Sequence, residues 1–149
     1  MTGMTRVVFY HNAPRRMEAA HALLEQACAA GKTMAVFVPD PERAQLLDRL
    51  LWTQPATGFI PHCGSEHPLA EETPVVLFTR EAQLAETACP RLFNLAEEAP
   101  RDLASFARFS SLIEVVGLDP AEREQARERV RQYKAAGFAV KYIDLGESN

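Results

Sequence analysis

Four cations near the end of the chain, Arg123, Arg127, Arg131 and Lys134, recur three or four residues apart. That is the spacing of neighbours along one helix face. On the same wheel, Ala126, Val130 and Tyr133 form an adjoining apolar seam. Residues 119–141 hold six cations (with Arg129 and Lys141) against four acids (Asp119, Glu122, Glu124, Glu128), although the whole chain carries a net charge of −4. The wheel turns Glu122, Glu124 and Glu128 away from the stripe and leaves most of it without a local partner. Two readings follow. One is a solvated amphipathic helix whose late cations favour the helix dipole. The other is a receptor for an anionic partner with a hydrophobic end.

Other constellations are weaker. Gly31-Lys32-Thr33 has the lettering of a phosphate loop's end, but such a loop needs a glycine five residues before its last one and lies between a strand and a helix. Gln26 occupies that position, and the tripeptide stands between a predicted helix and a predicted strand. His62, Cys63 and His67 are the one cluster of metal-type ligands, short of the four that a structural zinc takes, and neither Cys28 nor Cys89 pairs with it in spacing. No signature supports a Cys–His nucleophile. No metal, cofactor or catalytic group is therefore expected. The run LLWTQPATGFIPH at 50–62 places Trp52, Phe59 and Ile60 among Pro55, Pro61 and Gly58. Bulky residues in so broken a segment either tuck into the core or form a contact patch, and both readings stay open.

These residues need a scaffold. RVVFY (6–10), TMAVFV (33–38), VVLFT (75–79), RLFNL (91–95) and LIEVV (112–116) read as buried strands, being short apolar runs between turn signals. Helices are predicted over 15–30, closed by Gly31, and over 42–51, capped by Asp40 before Pro41 with Leu46, Leu47, Leu50 and Leu51 facing inward. The first would bury Ala19, Leu23 and Cys28. A shorter helix is expected over 101–109. Asp119-Pro120 opens the last one, a capping side chain followed by a residue suited to the first helical position. Gly137 closes it, and Phe138, Val140 and Tyr142 then alternate as a strand. The stretch 62–74 reads as a polar loop. Strands alternating with helices imply parallel pairing through right-handed crossovers. The predicted fold is α/β: residues 1–149 as a single three-layer domain, a mostly parallel sheet with helices on both faces, Rossmann-like without a nucleotide site.

Composition narrows the partners. A pI near 5.6 argues against wholesale coating of nucleic acid. No apolar run approaches the roughly 20 residues of a membrane helix, and the first residues lack a secretory pattern. The odd, widely spaced Cys28, Cys63 and Cys89 fit reduced thiols in the cytoplasm.

Several motifs run in order along the chain: Phe9-Tyr10, Gly31-Lys32, Leu51-Trp52, Pro55, FIPH at 59–62 and ARERVRQYKAAGF at 126–138. Together they resemble the chi subunit family of bacterial DNA polymerase III holoenzyme, an accessory of the clamp-loader complex. The resemblance implies a non-enzymatic adaptor with a nucleotide-binding-like fold. It implies binding of the acidic C-terminal tail of single-stranded-DNA-binding protein, which ends in phenylalanine and a free carboxylate, through Arg123, Arg127, Val130, Arg131, Gly137 and Val140. It also implies a surface for the psi subunit, or for a competing helicase, at Trp52, Pro55, Phe59 and Pro61. Contact with DNA would be indirect. The family commonly has an aromatic residue where Val130 stands, and a longer segment before Arg123.

Two other classes compete. A small α/β enzyme would converge polar groups at the carboxyl ends of its strands, here His11-Asn12, Pro39-Asp40, Thr79-Arg80 and Gly117-Leu118. A direct single-strand binder would need a basic groove with aromatic platforms, longer than this one stripe.

Overall fold

The computed structural model describes residues 5–53, 61–98, 101 and 103–147. Seven strands form one sheet: β1 (Arg6–Ala13), β2 (Met34–Phe37), β3 (His62–Gly64), β4 (Val75–Phe78), β5 (Arg91–Asn94), β6 (Ser111–Gly117) and β7 (Ala139–Asp144). Their order is β3-β4-β2-β5-β6-β1-β7, and every pair is parallel. Among the described residues, four α-helices accompany them: α1 (Arg16–Ala29), α2 (Pro41–Thr53), α3 (Leu103–Ala107) and α4 (Pro120–Ala135). The sheet is wholly parallel where the sequence predicted mostly parallel.

Burial on both faces explains why the strands are continuous apolar runs. Alternate residues still separate into two cores. Val7, Phe9, Ala35, Phe37, Val76, Leu92, Leu112 and Val116 pack with Ala126 and Tyr133 of α4. Val36, Val75, Leu77, Phe93 and Val115 pack with Ala20 and Leu24 of α1 and Leu47 and Leu51 of α2. Helices therefore lie on both faces, as a three-layer α/β fold requires.

Local signals account for the boundaries. The Asp40 carboxylate accepts the Glu42 N–H at 3.0 Å, capping α2 as expected. At the end of α4, Phe138 N–H bonds to Tyr133 C=O and Gly137 N–H to Lys134 C=O, each at 3.0 Å. Gly137 has φ 89°, and the Phe138 ring stacks on Tyr133 with centroids 5.7 Å apart. This is a Schellman closure with its hydrophobic contact, and it needs a left-handed residue at Gly137.

Several local expectations are corrected. The segment predicted as a polar loop contains β3, three residues that add an edge strand beside β4. Leu46 is exposed and Leu50 only half-buried, because α2 buries the narrower pair Leu47 and Leu51. In α1 the buried residues are Ala20, His21 and Leu24, with Ala19, Leu23 and Cys28 partly buried at the rim of that core. Asp119 makes no side-chain cap; instead Glu122 reaches back and accepts the Gly117 N–H at 2.8 Å.

Candidate functional site, a cationic edge and an aromatic edge

The cation stripe lies on α4 beside the last strand. The inner side of α4 is fixed by a buried polar cluster. Glu114, fully buried, points from β6 between Leu112 and Val116. Arg129 donates to its Oε1 from Nε, and Nη2 lies 3.1 Å from the same oxygen. The Tyr133 hydroxyl donates to Oε2 at 2.6 Å and Asn94 Nδ2 donates at 2.9 Å. Burial, and then the neighbouring Glu114 charge, hold the Tyr133 phenol well above the ordinary tyrosine range. Arg129 therefore belongs to the core, not to the surface surplus in which its charge was counted.

With α4 anchored in this way, its flank leans toward β7. Lys134 Nζ sits 5.6 Å from the centroid of the Tyr142 ring. At the other end of the helix, Arg123 donates to Asn12 Oδ1 at 2.7 Å, and Asn12 Nδ2 donates to Asp144 at 3.0 Å. That hydrogen bond from Asn12, with another from the Gly146 N–H, holds the Asp144 carboxyl below its usual range. Val130 and Val140 are partly buried against the α4-side core. A methyl group added at Gly137 would meet only open space.

The structure thus brings Arg123, Arg127, Val130, Arg131, Gly137 and Val140 onto one helix and the strand that follows it. It also corrects the expectation that the stripe lacks local partners. Arg127 pairs with Glu124 at 3.1 Å and Arg131 with Glu128 at 2.6 Å, both one turn apart. All four side chains are at least half exposed. Pairs of this kind contribute about 0.2–1 kcal/mol each, so an incoming carboxylate can replace the acid at little cost. Lys134 meets no carboxylate among the described residues.

Trp52 stands at the opposite end of the sheet. It is 59% exposed at the close of α2, and its ring meets that of His62 edge-on, with centroids 5.6 Å apart. His62 in turn lies 2.8 Å from Asp48. Pro61 is exposed beside them; Pro55 and Phe59 lie outside the described residues. The exposure takes Trp52 out of the core. His62 opens β3 at one edge of the sheet, whereas β7 forms the other. Six strand spacings of roughly 4.8 Å separate them, about 29 Å.

Positions suited to chemistry are occupied by structure. Gly31-Lys32-Thr33 follows α1 and precedes β2, and Gly31 has the left-handed φ of 76° that ends the helix. His62 bonds to Asp48, while its neighbour Cys63 packs toward the α4-side core, as consecutive strand residues must. His67 Nδ1 accepts the Leu69 N–H. At the carboxyl ends of β5 and β6, Arg16 donates to the carbonyls of Val115 and Ala96 and Arg129 to that of Glu97. Glu97 also pairs with Arg43, so the crevice outside the carboxyl ends of β5 and β6 is closed by the chain's own side chains, whereas a cavity of about 620 Å³ lined by Asp40, Arg43, Thr79, Arg80, Glu97 and Arg101 stays open outside β2 and β4. A cavity of about 890 Å³ lies over β2 and β4. Its acid Glu66 and its cation Arg80 face each other at 3.4 Å.

Comparison with known proteins shows the family. Residues 4–141 match the family model described as DNA polymerase III chi subunit, HolC. DNA polymerase III subunit chi of Pseudomonas aeruginosa is 32% identical over 141 residues, covering 92% of this chain and 94% of the relative. The subunit of the same name from Escherichia coli is 34% identical over 118 residues, 73% of this chain and 71% of the relative. That of Haemophilus influenzae is 28% identical over 120 residues, 78% of each chain. The match runs through both edges of the sheet and the helix that carries the stripe, and the chain belongs to the DNA polymerase III chi subunit family.

Proposed function

We propose that this chain is a non-catalytic adaptor of the replicative DNA polymerase clamp-loader complex, acting in the cytoplasm as one domain. Its α4–β7 edge holds the acidic C-terminal tail of single-stranded-DNA-binding protein. Its Trp52 edge holds a psi-type subunit or a helicase that competes for the same patch. The observation that carries this reading is the placement of two unlike surfaces at opposite edges of one rigid sheet. One is cationic with a partly buried apolar seam; the other is an exposed aromatic. About 29 Å apart, they can engage two partners at once, which is what an adaptor must do.

The tail's chemistry suits the first edge. Its aspartates meet Arg127 and Arg131 through screened attraction, displacing Glu124 and Glu128. Its terminal ring enters beside Val130 and Val140. The side chains closing the crevice at the ends of β5 and β6 support the non-catalytic half of the reading.

A fluorescently labelled peptide of acidic residues ending in phenylalanine tests this reading by titration at two salt concentrations. The chain should bind it more weakly at the higher salt, and neither nucleotides nor a single-stranded oligonucleotide should displace it. Arg127 is 69% exposed and already paired, so Arg127→Ala should weaken binding by about 0.5–1.5 kcal/mol. A Glu124→Ala variant, which frees Arg127, should bind no worse than the parent. Absence of binding, or displacement by the oligonucleotide, would overturn the reading.

A further inference from the structure

The two faces of the sheet are unequally covered at β1 and β7. On the α4 side, Val7 and Phe9 are buried in the core that includes Ala126 and Tyr133, and Tyr142, 49% exposed, rests on the Phe9 ring with centroids 6.3 Å apart. On the α1 side, the fully buried core draws on β2, β4, β5 and β6, takes only Ala13 from β1 and takes nothing from β7. The alternate residues Val8, Tyr10 and Ile143 are half-buried there. Val8 and Ile143 join neither core, and Tyr10 and Ile113 sit at the rim of this one. Parallel register sets Val8 between Ile113 and Lys141, and Tyr10 beside Ile143. An apolar patch on three adjacent strands is therefore left half open, outside the part of this face that α1 and α2 bury. Its charge is one-sided. Arg6 precedes Val7, and Lys141 lies between Val140 and Tyr142, so strand alternation turns both to the α1 side. Both are exposed, and neither meets a carboxylate among the described residues. No acid stands at any α1-side position of β1, β6 or β7.

We propose that this patch is a docking site for an amphipathic α-helix of a partner protein. The helix lays an apolar stripe on Val8, Tyr10, Ile113 and Ile143, and acidic residues along its flank meet Arg6 and Lys141. The dimensions fit one helix. From β6 to β7 is two strand spacings, about 10 Å, which is the diameter of a helix with its side chains. The eight residues of β1 extend about 26 Å, close to the length of a helix of about 18 residues. Such a helix continues the layer that α1 and α2 begin, and covers side chains that a strand added at the β7 edge would leave open. Charge selects the flank. Arg6 and Lys141 stand on neighbouring strands, two residues apart in register, so about 8 Å separates their backbones. Two like charges at that distance repel, and a carboxylate between them replaces the repulsion with two attractions. A nucleic-acid strand would meet the same cations but gain little from the apolar floor. The patch lies on the face opposite α4 and at the far end of the sheet from Trp52. The inference is therefore independent of the tail-binding reading and adds a third surface to the chain.

The probes are two synthetic helices of about 18 residues with the same leucine stripe, flanked by glutamates in one and by lysines in its twin. Each is titrated against the whole chain and against Lys141→Glu, the double change Arg6→Glu with Lys141→Glu, Val8→Ala and Arg127→Ala. Circular dichroism confirms that each variant is folded; if the double variant is not, Lys141→Glu alone decides. The parent should bind the glutamate helix about five- to tenfold more tightly than the lysine twin. Lys141→Glu should remove that preference, and the double variant should invert it. Val8→Ala should weaken both helices about threefold, and Arg127→Ala should change neither. With isotopically labelled methyl groups, the glutamate helix should shift Val8, Ile113 and Ile143 and leave Val7 and Val130, on the α4 side, in place. No binding of the glutamate helix, equal binding of the twins, or methyl shifts centred on Val130 would overturn the proposal. A preference that survives Lys141→Glu but falls with Arg127→Ala would move the helix to the cationic stripe and overturn it equally.

Discussion

Replacing Glu114 by glutamine should destabilise the chain more than any change on the recognition surface. The Glu114 and Arg129 side chains are 0% and 3% exposed, and the carboxylate serves three donors from Arg129, Tyr133 and Asn94. Glutamine keeps one acceptor and converts the other oxygen into a donor, so either Arg129 or the Tyr133–Asn94 pair faces an N–H. The buried guanidinium also loses its counter-charge. Breaking one half of such a pair costs about 3–5 kcal/mol. For a chain of this length that corresponds to a fall of roughly 6–20 °C in Tm. Thermal and urea unfolding of the parent and of Glu114→Gln measure it. The double change Glu114→Gln with Arg129→Met should recover much of the loss, because the uncompensated charge goes with the arginine. A loss below about 1 kcal/mol in the single variant would mean that Arg129 escapes to water, and that the cluster does not anchor α4.

Two further predictions follow from the same geometry. The folded chain holds the Tyr133 phenol proton well above the ordinary value of 10.0, so its contribution to stability should be constant below about pH 10 and decline above it as the unfolded chain ionises first. Tyr133→Phe should flatten that alkaline decline while costing about 1.5–3 kcal/mol near neutrality, and identical pH profiles for the two proteins would refute it. Trp52→Ala should abolish binding of a psi-type partner at a stability cost below about 1 kcal/mol, as befits an exposed side chain; a loss of about 3–5 kcal/mol would place the indole in the core.

Much of the scaffold was legible because parallel strands buried on both faces must be apolar runs, and because Asp40, Gly31 and Gly137 punctuate them as their backbone preferences require. The strand β3 was not, since HCG carries no periodicity and pairs with β4 only through tertiary contact. On α4 the helical wheel placed Arg123, Arg127, Arg131 and Lys134 on the exposed flank and set Arg129 apart from them, yet the charge count still included Arg129 in the surface surplus. The missing signal was in β6: a glutamate in the middle of LIEVV is buried among apolar neighbours and calls for a cation from the packing helix. The wheel also turned Glu124 and Glu128 away, whereas long side chains one turn apart reach across to Arg127 and Arg131. Tyr142 was read only as an alternating strand residue; its exposure depends on β7 being the last strand of the sheet, which pairing decides and local sequence does not.

The most direct test of the adaptor reading is to map the peptide's footprint on the isotopically labelled chain by amide chemical shifts. Addition of the acidic peptide ending in phenylalanine should perturb α4 from Arg123 to Lys134 together with β7 around Val140 and Tyr142. Trp52 and His62, about 29 Å away at the far edge of the sheet, should stay unchanged. Perturbations centred on Trp52, or spread along the carboxyl ends of the strands, would contradict the placement of the tail on the cationic edge.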